Sequence, residues 1–217
     1  MHGEGEARDL PKPGEPVPAT EDEIREKYLE RAIREMNSLT RDIQECRHCP
    51  RGNLVPVLGS GHPQADVMLI KHRPVTAEIE EGVAFYGRSG SALQKSLGRL
   101  GVDPLAVYGT LCVKCPVGDA ALADPACLSR LAEEIAIVQP RLIVVMGEET
   151  LATVNDLELP LAQELTWQPG VIQQLTPSID ALVTPDIDDS LDEEDAKRAF
   201  WAAFRALGEW WSDLPPY

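Results

Sequence analysis

Arg141-Leu142-Ile143-Val144-Val145-Met146-Gly147 places five consecutive apolar residues between an arginine and a glycine. A run of that length without polar alternation is a strand covered on both faces, as in a parallel sheet packed between helices. Glu148 to about Asp156 continues as a helix. Pro125 to Val138 reads as another, ended near Pro140, whose ring cannot continue the helix. Working outward, Ala106–Val113 and Asp66–Ile70 are further strands, separated by a helix from Ser91 to Leu100 that Gly101 terminates. Strands alternating with helices of ten residues or more imply an α/β fold with a mostly parallel sheet, because a parallel pair needs a crossover. Val171–Leu175 and Ala181–Thr184 are candidate later strands. Ser190 with Glu193 is read as the cap of a last helix whose apolar face is Phe200, Phe204, Leu207 and Trp211.

At the other end, Thr20 with Glu23 forms a capping box, and Ile24, Tyr28, Leu29, Ala32, Ile33, Met36, Leu39 and Ile43 recur at helical spacing. The expected helix, about 21–45, delivers the chain to Cys46. Residues 1–19, rich in Pro, Gly and Glu, are expected to form a disordered leader, with 20–217 a single domain. The start of the chain has neither a cationic segment nor an apolar centre, so it does not read as a secretory signal. No stretch approaches the ~18 apolar residues that a membrane span requires. A cytoplasmic protein without membrane contact is the expectation.

The chain has 217 residues, 36 acids and 20 bases, for a net charge of −16. That balance argues against binding polyphosphates, but the charge is uneven. Residues 46–146 carry nine acids against ten bases, while residues 147–217 carry fifteen against three. All five cysteines and three of the four histidines lie in the neutral middle, so chemistry is expected there.

Cys46-x2-Cys49 is the strongest local signal, since two thiolates at that spacing grip one metal ion from a single turn. Cys112-x2-Cys115 is a second pair. Spacing alone allows zinc held by Cys46, Cys49, Cys112 and Cys115, or an iron–sulfur cluster that uses Cys127 in place of Cys112. Within Leu111-Cys112-Val113-Lys114-Cys115, Cys112 reads as a core-facing strand residue, where a free thiol behaves as a small hydrophobe.

From Cys46 to about Leu151 the sequence resembles the iron–sulfur class of bacterial and archaeal uracil-DNA glycosylases, often called family 4, with weaker matches to the C-terminus. The pair Cys46 and Cys49 comes first. Leu58-Gly59-Ser60-Gly61-His62-Pro63-Gln64-Ala65-Asp66 follows, like the family's G-x-G-x-P-x-A-D lead-in to a strand. Ala84-Phe85-Tyr86-Gly87-Arg88-Ser89-Gly90 is similar to P-F-x-G-x-A-G, and Val107-Tyr108-Gly109-Thr110-Leu111-Cys112-Val113-Lys114-Cys115 to V-Y-x-T-N-x-V-K-C. The resemblance implies a three-layer αβα fold around a four-stranded parallel sheet. It also implies a [4Fe–4S] cluster on Cys46, Cys49, Cys115 and Cys127, with zinc as the alternative.

The resemblance stops short at the positions that act on the base. Where the family has a Gly-Glu-x-Pro-Gly loop, this chain has Lys71-His72-Arg73-Pro74-Val75. The asparagine that reads uracil is Leu111, and the His-Pro-Ser loop corresponds to Thr184-Pro185-Asp186. A site that reads a base by hydrogen bonds loses discrimination of ~10⁴ or more when a reader is removed. Phe85 matches the residue that stacks on the base. Lys71 and Arg73 are candidate phosphate contacts, with Lys71 or His72 a conceivable nucleophile; otherwise the three form a solvated basic loop offsetting Glu78, Glu80 and Glu81. The expectation is an iron–sulfur protein that has lost uracil excision and acts by binding in DNA repair. Its acidic C-terminal part would engage a basic protein partner, with DNA binding weak. The alternative is an active glycosylase for uracil or another damaged base. His72, Glu78 and Asp186 are then the candidate acid–base groups and Phe85 the stacking platform, provided that they converge on one pocket.

Overall fold

In the computed structural model, which describes residues 20–118 and 123–214, six strands form one sheet in the order β1-β3-β2-β4-β6-β5. The expected leader, residues 1–19, lies outside the described residues. β2 (Val67–Lys71), β3 (Val107–Leu111), β4 (Leu142–Met146) and β6 (Ile179–Thr184) are mutually parallel, which gives the expected four-stranded core. Two antiparallel edge strands extend it: β1 (Ser60–Gly61) beside β3, and β5 (Ile172–Thr176) beside β6. The sheet is therefore mixed at its edges.

Alternation along the strands sorts the core into two layers. Met68, Ile70, Ile143 and Val145 pack with Leu131 and Ile135 of α4 (Ala126–Val138) and with Leu151 and Val154 of α5 (Glu148–Asn155). Val67, Leu69, Val144 and Leu182 face the other way. They pack on Leu93 and Leu97 of α3 (Arg88–Leu100) and on Phe200, Phe204 and Leu207 of α6 (Glu194–Ser212). The outer helix α1 (Glu21–Glu45) begins at the expected capping box, with the amide of Glu23 donating to Thr20 Oγ1 at 3.2 Å and that of Thr20 to Glu23 at 2.9 Å.

Three local readings are corrected. Ser190 does not cap α6: it lies buried in a 3₁₀ turn and donates its hydroxyl to the Asp186 carbonyl at 2.6 Å. The short helix α2 (Thr76–Glu81) was not anticipated, because its capping side chain is Glu78, inside the helix, reaching back to the Val75 amide at 2.9 Å. Finally, β2 ends at Lys71, one residue beyond the expected strand. That single residue decides the character of the site.

Candidate functional site

From β2 the chain runs to β3 on one side, and from β4 to β6 on the other, so the strand order reverses between β2 and β4. Ligands of doubly wound sheets bind at the carboxyl ends of the strands where this reversal opens a crevice. Here the crevice has a volume of about 330 Å³ and is walled by His72, Gly147, Glu148, Glu149, Asp186 and Asp189. His72 is half-buried with Nδ1 3.3 Å from Thr153 Oγ1, and burial lowers its pKa against the opposing pull of Glu149. Burial pushes Asp186 the other way, to about 6, with Asp188 and Asp189 adding to the rise and the Asp188 amide, 2.7 Å away, opposing it.

A carboxyl whose pKa is higher folded than the ~3.9 of an unfolded chain holds its proton more tightly in the native state. Its cost is absent below pH ~4, grows as the pH rises toward ~6, and stays constant above. Asp186→Asn keeps the acceptor for the Asp188 amide and is therefore expected to raise stability at pH 7 by ~2 kcal/mol, or ~4–8 °C in Tm. Melting curves at pH 4 should show wild type and variant alike.

Lys71 has the parity of Val67 and Leu69, so its side chain turns inward beneath the segment that follows β6. It is wholly inaccessible to solvent. Its ammonium pairs with Glu78, also inaccessible, at 2.8 Å and with Asp188, and it lies 5.6 Å from the centre of the Phe85 ring. This overturns both expectations for Lys71: it neither projects toward phosphates nor belongs to a solvated loop. Arg73 alone of that trio is exposed. Glu78 is likewise committed, accepting from the amides of Val75 at 2.9 Å and Phe85 at 2.5 Å, which leaves it unsuited to acid–base work.

Phe85 is held in the left-handed region, at φ 57°, and its ring rests on Gly109, where a Cβ would lie 2.6 Å from Cδ2. It lines a separate 170 Å³ pocket with Leu93 and Leu97, and neither His72 nor Asp186 reaches it. Of the groups that the alternative reading requires in one pocket, His72 and Asp186 share the crevice, while Phe85 and the buried Glu78 lie apart from them. Leu111 and Thr184, at the ends of β3 and β6, are fully buried. Several of the acids expected on the C-terminal surface also turn inward: Asp188 to Lys71, Asp186 to the crevice, and Asp180 to Trp210 Nε1 at 2.9 Å.

The cysteines behave differently. The thiols of Cys49, Cys115 and Cys127 all lie within 4.8 Å of one another, although 78 positions separate Cys49 from Cys127. Cys46 lines the same cavity, of about 390 Å³, beside Cys115 and Cys127. Burial raises the pKa of Cys49, while the hydrogen bond from Cys127 lowers that of Cys115. Cys112 belongs to the core with Met68 and Ile70, apart from the three convergent thiols, which removes it from the zinc set that spacing allowed. Sequence reasoning missed Arg51. It is buried, its guanidinium donates to the carbonyls of Cys46 at 2.8 Å and Gln44 at 3.1 Å, and its Nε has no partner among the described residues. Its charge lowers the pKa of Cys115. Three convergent thiols, a fourth on the rim and a buried cation fit an anionic iron–sulfur cluster on Cys46, Cys49, Cys115 and Cys127. Such a group supplies a rigid cross-link and a one-electron redox centre.

Residues 58–205 match the family model of the uracil DNA glycosylase superfamily. The chain belongs to that superfamily. The match takes in all six strands and the crevice, and begins after Cys46 and Cys49. Among curated relatives, the chain is 35% identical over 113 residues to a type-4 uracil-DNA glycosylase of Pyrobaculum aerophilum, an alignment covering 48% of this chain and 57% of the relative. It is 30% identical over 127 residues to the type-4 enzyme of Sulfurisphaera tokodaii, with 53% and 56% covered. The chain thus spans about half the length of the curated relatives it matches. In this superfamily member, four of the side chains that line the switch-point crevice are acidic.

Proposed function

We propose that this superfamily member carries an iron–sulfur cluster, does not excise uracil, and serves DNA repair as a binding protein. The observation that carries the reading is the buried Lys71–Glu78–Asp188 network beneath Phe85. It fills the end of β2, where the superfamily resemblance implies a glycine-lined approach to a flipped nucleotide, and it ties down Phe85, the aromatic that the resemblance assigns to stacking. Leu111 adds no hydrogen bond with which to read a base. The acids Glu148, Glu149 and Asp189 at the crevice disfavour a phosphate backbone, and with exposed Glu193 they favour a basic protein surface. No described helix is long and apolar enough to cross a membrane.

The direct test is a single-turnover assay with excess cluster-loaded protein on single- and double-stranded DNA containing uracil, hypoxanthine or xanthine. No base release above the protein-free rate is expected. Release that disappears in Asp186→Asn or His72→Ala would instead establish the second reading, an altered glycosylase, which one observation favours: Asp186, with a pKa of about 6, and His72 share one crevice.

A further inference from the structure

On the opposite side of the β6–α6 segment, α3 and α6 diverge and leave a cleft of about 320 Å³. Its floor is apolar: Ile187 and Phe200 are buried, and Trp201 forms a wall with the Arg99 guanidinium 5.7 Å over its ring. Its rim holds Lys95, Arg99, Lys197 and Arg198, and no lining side chain is acidic, although the chain has 36 acids against 20 bases. A concentration of cations of this kind runs against the composition of the whole molecule. Lys197 and Arg198 pair with Glu194 and Asp195 through exposed bridges one turn apart, contacts that are weak and readily exchanged. Lys95 makes no ion pair among the described residues and is exposed. Apolar floor, aromatic wall and cationic rim are the elements of a small-molecule site, in which burial of the ligand body gives affinity and a few charges fix its orientation.

We propose that this cleft binds a small planar organic anion, its ring system seated on Phe200 and Trp201 and its carboxylate, sulfonate or phosphate held by Lys95 and Arg99. The size of the cleft suits a ligand of a few fused or linked rings rather than a peptide strand. Ile187, Ser190 and Leu191 line the cleft and belong to the segment that carries Asp186 into the crevice and Asp188 onto Lys71. A bound anion therefore rests on the same segment that forms the crevice wall. The site is independent of whether the protein excises any base.

The probe is 1-anilinonaphthalene-8-sulfonate, titrated into the full chain while dye emission and tryptophan quenching are followed. One saturable site is expected, with affinity at least about tenfold weaker in Lys95→Glu/Arg99→Glu and for the uncharged analogue N-phenyl-1-naphthylamine, given the energy of two reversed charges at close range. Lys95→Met should weaken binding by less, and Arg31→Glu/Arg34→Glu on α1 should leave it unchanged. Circular dichroism confirms that the variants are folded, as their exposed positions require. Non-saturating binding, equal affinity in the charge-reversed variant, equal affinity for the uncharged dye, or displacement of the dye by a polyglutamate peptide would each overturn the proposal.

Discussion

Cys115→Ser is expected to abolish cluster binding and to lower stability by at least ~5 kcal/mol, which for a chain of this length is ~10–20 °C in Tm. Cys115 follows β3, Cys127 lies in the first turn of α4, and Cys49 lies beyond the end of α1, so a group bonded to all three cross-links elements far apart in sequence. Losing one thiolate opens the cage and leaves Arg51 a buried cation without its counter-charge. Iron and inorganic sulfide per chain, measured after anaerobic purification together with the visible charge-transfer absorbance, check the expectation. Cys112→Ala supplies the contrast: full iron content with only the modest loss due to a small core cavity. A wild-type protein that is colourless and carries zinc would exclude the cluster.

Lys71→Ala is expected to cost ~3–5 kcal/mol, because Glu78, wholly buried, would be left without its cation. Asp188→Asn should cost less, since Asp188 remains partly in contact with solvent and Glu78 still neutralises the lysine. Lys71→Met/Glu78→Gln removes both charges at nearly constant volume and should recover most of the loss; urea unfolding of the single and double variants isolates the coupling. If Lys71→Ala were as stable as wild type, the Lys71–Glu78 pair would not brace the end of β2. Restored base release in the double variant would identify the network as the block to excision.

The fold was legible largely because its signals are local. The strand from Val67 to Ile70 and that from Leu142 to Met146 follow from apolar runs, and α1 from its capping box and spacing. Edge strand β1 was not legible, since Ser60-Gly61 carries no pattern and exists only through pairing with Tyr108 and Gly109. Asp180, Asp186 and Asp188 read as surface acids by composition, and each has a partner or position that no neighbour in sequence announces.

By itself the sequence determined the parallel α/β core, because its strands and helices rest on periodicity within a few positions, whereas spacing left two cysteine sets open and the approach of Cys49, Cys115 and Cys127 was decided by the tertiary structure. Only the tertiary structure decided what Lys71 does. A lysine at a strand end is solvated or buried according to whether a counter-charge is brought to it, and Asp188 arrives from 117 positions away on a segment placed by β6. The cost of burying a charge is set by such partners, and they are fixed by topology rather than by the local pattern.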